Sequence, residues 1–213
     1  MNRSRRRFSQ HVLIAAFTIA LLFIIHAIVP GDHQQYLWSM ATAYTSMILL
    51  AVTLSFGPLN ILRNKNNPVS SDLRRDVGIW CAIVGLAHVV IGIQVHMGNV
   101  FLYFFKAVEG VDAFSLRSDL FGAANYTGLI ATIVLLILLL LSNDLSLRLL
   151  SPRRWKRIQQ WSYAMFLLIA IHGIMFQDIE KRTLPFILLL SLLLLVPIVI
   201  QLIGVRSILK RKK

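Results

Sequence analysis

Acidic residues are few in this chain. Nine Asp and Glu stand against 22 Lys and Arg, a formal net charge of +13 over 213 residues. Cysteine occurs once, as Cys81, which excludes an intramolecular disulfide, a thiolate cluster and a Cys-x-x-Cys-His attachment. None of the eleven glycines falls in a G-x-G-x-x-G or G-x-x-x-x-G-K-[ST] loop, so neither a dinucleotide fold nor a phosphate loop is present. Charged residues make up only 15%, and long stretches hold none, which excludes a water-soluble fold.

What is abundant is hydrocarbon. Hydrophobic residues are 57% of the chain, and six segments approach the roughly 20 apolar residues needed to cross a bilayer. They run over 10–29, 37–62, 77–97, 121–141, 159–177 and 184–205. Backbone polar groups in lipid must be satisfied within the chain, so these spans are helices. The expected fold is an all-α integral membrane protein, a six-transmembrane-helix bundle. A basic arm (1–9) precedes the bundle (10–205), and a basic tail (206–213) follows it.

The positive charge is sided. With the N-terminus inside, 18 of the 22 basic residues fall on inner segments, leaving Lys106, Arg117, Lys181 and Arg182 outside. The positive-inside rule then puts both termini in the cytoplasm of a multi-pass protein of the cell membrane. Anionic lipid, not nucleic acid, is the partner this charge implies. Ser4-Arg5-Arg6-Arg7-Phe8 faintly resembles a twin-arginine signal, but the first apolar stretch is long enough to span and reads as a retained anchor. Gly57-Pro58 suggests a kink or exit at the inner end of the second span. Residues 64–72 read as a polar inner loop, and the aromatic stretch 100–105 as an outer interfacial segment.

Two histidines lie mid-span. With 1.5 Å of rise per residue, His88 sits roughly 16 Å along a span starting at Val77, and His172 roughly 16 Å along one starting at Trp161. Both helices run outward, so equal offset means equal depth. An ionisable side chain in hydrocarbon is a functional candidate by default, and a facing imidazole pair can hold a haem iron. Gly78, Gly85 and Gly92 recur every seven residues on the helix of His88. That flat stripe admits either a planar ligand or another helix. On the fifth span, Ser162, Met165, Ile169 and His172 share one side, beside Gly173. His11, His26 and His33 read as interface residues. His96 lies roughly 28 Å from Val77 by the same rise and faces no histidine on the fifth span, which favours an interface role over an outer haem ligand.

Arg74-Arg75-Asp76-Val77-Gly78-Ile79-Trp80, followed by His88, resembles a signature of the ferric reductase-like transmembrane domain family. Ser142-Asn143-Asp144, then Arg154-Trp155-Lys156-Arg157-Ile158-Gln159-Gln160-Trp161-Ser162-Tyr163 and His172, is similar to a second segment of that family. Haem-binding subunits of methionine sulfoxide reductase systems and the membrane domains of NADPH oxidases and metalloreductases belong to it. The resemblance implies six helices carrying one or two b-type haems that conduct electrons across the bilayer. It departs at Gln159, where the family has a histidine, so one haem b is expected, held by His88 and His172 with Gly85 and Gly92 beside it. Gln159 and Arg75 are weaker candidates at the inner rim, toward a haem propionate, flavin or quinone. The chain would then be an electron-transfer subunit needing a separate reductase or oxidoreductase protein as donor. The rival reading is a cofactor-free scaffold or transporter-like subunit, its interior lined by Gln94, Asn99, Asn125 and Thr127.

Overall fold

The computed structural model describes residues 3–63, 72–110 and 112–211. Six long helices dominate: α1 (Arg3–Ile28), α2 (Gln34–Leu62), α3 (Asp72–Gly92), α4 (Leu120–Leu140), and later α7 (Trp161–Ile179) and α8 (Leu184–Arg211). Two short helices, α5 (Asp144–Leu149) and α6 (Pro152–Gln159), link α4 to α7. All six long helices contain windows long and apolar enough to cross a membrane. Large side chains such as Phe23, Leu188 and Leu192 face outward. That is stable only where the surroundings are themselves apolar. The fold is an all-α membrane bundle.

Residues of α2, α3, α4 and α7 surround one core, built on Leu50, Leu54, Val77, Cys81, Leu135 and Met165. A second core joins α1, α2 and α8 through Ile25, Met40, Tyr44 and Phe186. The glycine stripe is the seam between α3 and α2. Side-chain positions on Gly78, Gly85 and Gly92 would stand 3.6, 3.0 and 3.5 Å from Thr53, Ser46 and Ser39 respectively. Both partners step by seven residues in opposite directions, as two antiparallel helices in close contact require.

Two expectations need correction. Helix α2 does not leave the bundle at Gly57-Pro58 but continues to Leu62. Proline cannot donate to the carbonyl four residues back, and here Nε2 of Gln201, on α8, donates to that Leu54 carbonyl at 2.9 Å. Secondly, α3 stops at Gly92 instead of 97, so His96 is off the helix. The described residues of the basic arm belong to α1, which is helical from Arg3.

At the end opposite the termini, the aromatic segment forms a 3-10 turn, Val100–Tyr103, and a small hairpin. Strand β1 (Phe105–Ala107) pairs antiparallel with β2 (Phe114–Leu116). Phe101 stacks on Phe105 at 4.2 Å.

Candidate functional site

His88 and His172 stand side by side, their ring centroids 6.4 Å apart and their planes at 78°. Each ring is held by a neighbouring helix. Nδ1 of His88 lies 3.0 Å from the Ser39 carbonyl of α2, and Nδ1 of His172 lies 2.8 Å from the Ala124 carbonyl of α4. A carbonyl oxygen can only accept, so the proton sits on Nδ1 of each ring and the lone pair on Nε2. This is the state in which imidazole ligates a metal, with the second nitrogen oriented by a backbone oxygen.

Both rings line one cavity of about 330 Å³, walled by Gly85, Gly92, Gly128 and Leu135 among others. Gly128 of α4 faces His172, and a side chain there would stand 2.8 Å from Nδ1. The residues fit a haem. Metal–nitrogen bonds of about 2 Å, with about 1 Å more from each nitrogen to its ring centre, separate two centroids around one iron by roughly 6 Å. Among the described residues no group of three or more His, Cys, Asp or Glu converges. A bare zinc ion would find too few ligands here, whereas a porphyrin brings four of its own.

The cavity extends toward the end opposite the termini. There the chain beyond α3 turns back, because the Tyr103 hydroxyl accepts from His96 and Met97 backbone N–H groups and donates to the Gly92 carbonyl. His96 consequently lines the same cavity as the pair. Its ring stacks on Phe176, which in turn lies 4.8 Å from His172. Nε2 of His96 is 2.7 Å from the Glu180 carboxylate. That hydrogen bond holds the carboxyl below the usual range, against the opposing effect of burial. Lys181 adopts a left-handed backbone (φ 47°) between α7 and α8, and Arg182 after it also lines the cavity.

At the other end a second cavity, of about 150 Å³, is lined by Arg74, Arg75, Trp155, Gln159 and Ser162. Arg75 does not belong to an open basic surface: its side chain is 8% exposed, and Nη1 donates to Asp144 at 2.6 Å. His11 is not a solvated interface residue either. Its Nε2 lies 3.4 Å from fully buried Asp76, and Nδ1 accepts from the Trp80 indole at 3.3 Å. His26 contacts Gln34 at 3.3 Å and packs on Trp38.

The polar residues of the rival reading are each satisfied locally. Gln94 donates to the Val90 carbonyl, Asn125 to that of Phe121 and Thr127 to that of Ala124, while Asn99 accepts from Phe101 N–H in the 3-10 turn. Sequence reasoning missed Gly128, Glu180 and Arg182, and the carbonyls of Ser39 and Ala124. A glycine at mid-span in the Leu-rich fourth helix, Gly128, was the one signal on offer.

No curated protein matches the chain. A family profile described as "Ferric reductase like transmembrane component" matches residues 39–170, well over half of it, including His88 and ending two residues before His172. The chain therefore belongs to the ferric reductase-like transmembrane family and is a membrane electron-transfer component.

Proposed function

We propose that this chain is a b-type cytochrome of the cell membrane, with His88 and His172 as the axial ligands of a single haem b. The observation that carries the reading is the 6.4 Å spacing of two imidazoles whose Nδ1 atoms are both tied to backbone carbonyls. Haem supplies one-electron redox chemistry when bound. The chain's own work is to orient the two rings, keep both Nε2 lone pairs available and raise ligand basicity through the carbonyls. Gly85, Gly92 and Gly128 keep side chains out of the space between α2, α3, α4 and α7. Apolar walls such as Leu135 and Ile169 limit water.

One haem is the expected number. Gln159 is a poor iron ligand, and the cavity it lines is less than half the volume of the other. A flavin or quinone is the weaker candidate there. The sided distribution of Lys and Arg supports cytoplasmic termini, and a separate reductase protein is the proposed electron donor.

The test is a dithionite-reduced minus oxidised difference spectrum of the purified chain. A b-type spectrum with one haem per chain is expected, lost in both His88→Ala and His172→Ala. A colourless wild-type protein from haem-replete cells would sink the proposal, and a content near two would overturn the single-haem count.

A further inference from the structure

The 150 Å³ cavity at the end that carries both termini has its own chemistry. Its polar rim comes from the water-side ends of three helices: Arg75 in the first turn of α3, Gln159 at the end of α6 and Ser162 at the start of α7. Beneath the rim lie Leu135, Leu138 and Met165. The cavity is thus amphipathic along the direction in which a bilayer is amphipathic.

The rim holds hydrogen-bond donors in need of acceptors. Nη1 of Arg75 is engaged by Asp144, but buried Nε and Nη2 find no hydrogen-bond acceptor among the described residues. Those two nitrogens form the side-on edge of the guanidinium, which takes two oxygens of one oxyanion. Nε2 of Gln159 and Oγ of Ser162 are likewise buried and unpartnered among the described residues, and Ser162 as a whole is 8% exposed. A buried donor without an acceptor is costly, so an oxygen-rich ligand has much to gain here. Asp72, at 3.8 Å from Nη2, lies beyond hydrogen-bond reach. Arg74 lines the cavity beside Arg75, and Arg75 lies against two carboxylates, Asp72 and Asp144. On α6, whose Trp155 and Gln159 line the cavity, Arg153, Arg154, Lys156 and Arg157 are exposed and attract anionic lipid to this end of the protein.

We propose that this cavity binds the phosphate of an anionic lipid headgroup. Its oxygens sit on Nε and Nη2 of Arg75, Nε2 of Gln159 and Oγ of Ser162, and its apolar body lies against Leu135, Leu138 and Met165. A free phosphate offers the same oxygens but nothing for the apolar floor. The site is independent of haem and stands or falls separately from the proposed cytochrome function.

Native mass spectrometry of the detergent-solubilised full chain tests it, with phosphatidylglycerol, phosphatidylcholine and inorganic phosphate titrated in turn. One phosphatidylglycerol per chain is expected, with the other two much weaker. Arg75→Gln should weaken it by roughly tenfold or more. Because that variant also loses the Asp144 contact, the double variant Gln159→Leu/Ser162→Ala is run beside it and should weaken binding comparably. Arg148→Gln, which removes an exposed inner charge outside the cavity, should leave binding unchanged. Equal binding by wild type and the double variant would overturn the proposal, as would an equal loss in Arg148→Gln. Inorganic phosphate binding as tightly as the lipid would assign the site to free phosphate and overturn the lipid. So would phosphatidylcholine binding equally, or a water-soluble benzoquinone binding in place of either.

Discussion

Gly128 of α4 touches His172 so closely that a Cβ there would stand 2.8 Å from Nδ1 and 2.9 Å from Cε1. The same imidazole donates to the Ala124 carbonyl, one turn earlier on the same helix, at 2.8 Å. Helix α4 therefore both holds the ring and leaves room for it. Gly128→Ala should push the ring off its carbonyl, an overpacking worth about 1–3 kcal/mol. Haem content measured as the pyridine haemochrome should drop several-fold, with shifted bands in whatever remains. Unchanged content and bands would show that the ring relocates freely.

Gly92→Ala makes the instructive contrast. A Cβ there would meet Ser39 Oγ at 3.5 Å and His88 Cε1 at 3.7 Å, ordinary contacts, so haem content should stay near wild type. Gly85→Ala falls between them. Its Cβ would stand 3.0 Å from Ser46 Oγ and 3.1 Å from Leu135, and Ser46 is tied to the Cys81 carbonyl at 3.1 Å. That variant should lower thermal stability in detergent by about 1 kcal/mol while keeping most of its haem. The order Gly92, Gly85, Gly128 in increasing severity is the measurable claim.

The spans were legible because lipid permits little besides apolar helices at such lengths. The side-by-side placement of His88 and His172 was likewise readable, as equal offset along two helices of the same direction. Their orienting partners were not, since a backbone carbonyl such as that of Ser39 or Ala124 leaves no mark in the sequence. Long-range satisfaction hid the rest. Pro58 looks like a break until Gln201, 143 residues later, covers the freed carbonyl. His96 looks remote until the Tyr103 hydroxyl folds its segment back over the cavity. Arg75 looks like surface charge until Asp144 draws it inward.

Asp76 is fully buried, with Arg7 at 2.8 Å and His11 at 3.4 Å, and it fastens α1 to α3. Asp76→Asn would leave Arg7, whose side chain is 23% exposed, with the longer 3.7 Å contact to Asp144 as its one remaining ion pair among the described residues. Removing one partner of a buried pair costs about 3–5 kcal/mol, whereas replacing both by apolar groups of similar size is often nearly neutral. Thermal unfolding in detergent should therefore rank Asp76→Asn well below Arg7→Met/Asp76→Leu. If the double variant is the less stable of the two, the ion pair contributes more than its desolvation costs.

Asp119 caps α4 by accepting from Gly122 N–H at 2.7 Å and also receives Arg117 at 2.8 Å. The Arg117 contact, first, and the cap hold its carboxyl below the usual range. Loss of such a cap costs about 1 kcal/mol, while an ion pair this exposed contributes less. Asp119→Ala should accordingly lower the unfolding temperature clearly. Asp119→Asn, which keeps the capping oxygen, should stay close to wild type. Equal losses would place the stabilisation in the Arg117 pair instead.

Glu180 gives the pH dependence a direction. The hydrogen bond with His96 holds its carboxyl below the usual range in the folded chain, against about 4.3 for an unfolded glutamate. The folded state thus stays ionised to lower pH than the unfolded state, and protons bind the unfolded chain first as pH falls. The stability this contributes is whole above about pH 5 and is lost as pH drops through the folded value. Glu180→Gln removes the titrating group while keeping its size. Wild type should be the more stable at neutral pH, with the difference shrinking as pH falls from about 5 toward 3. A difference that stays constant over that range would mean that Glu180 acts through packing against the Phe176–His96 stack and not through its charge.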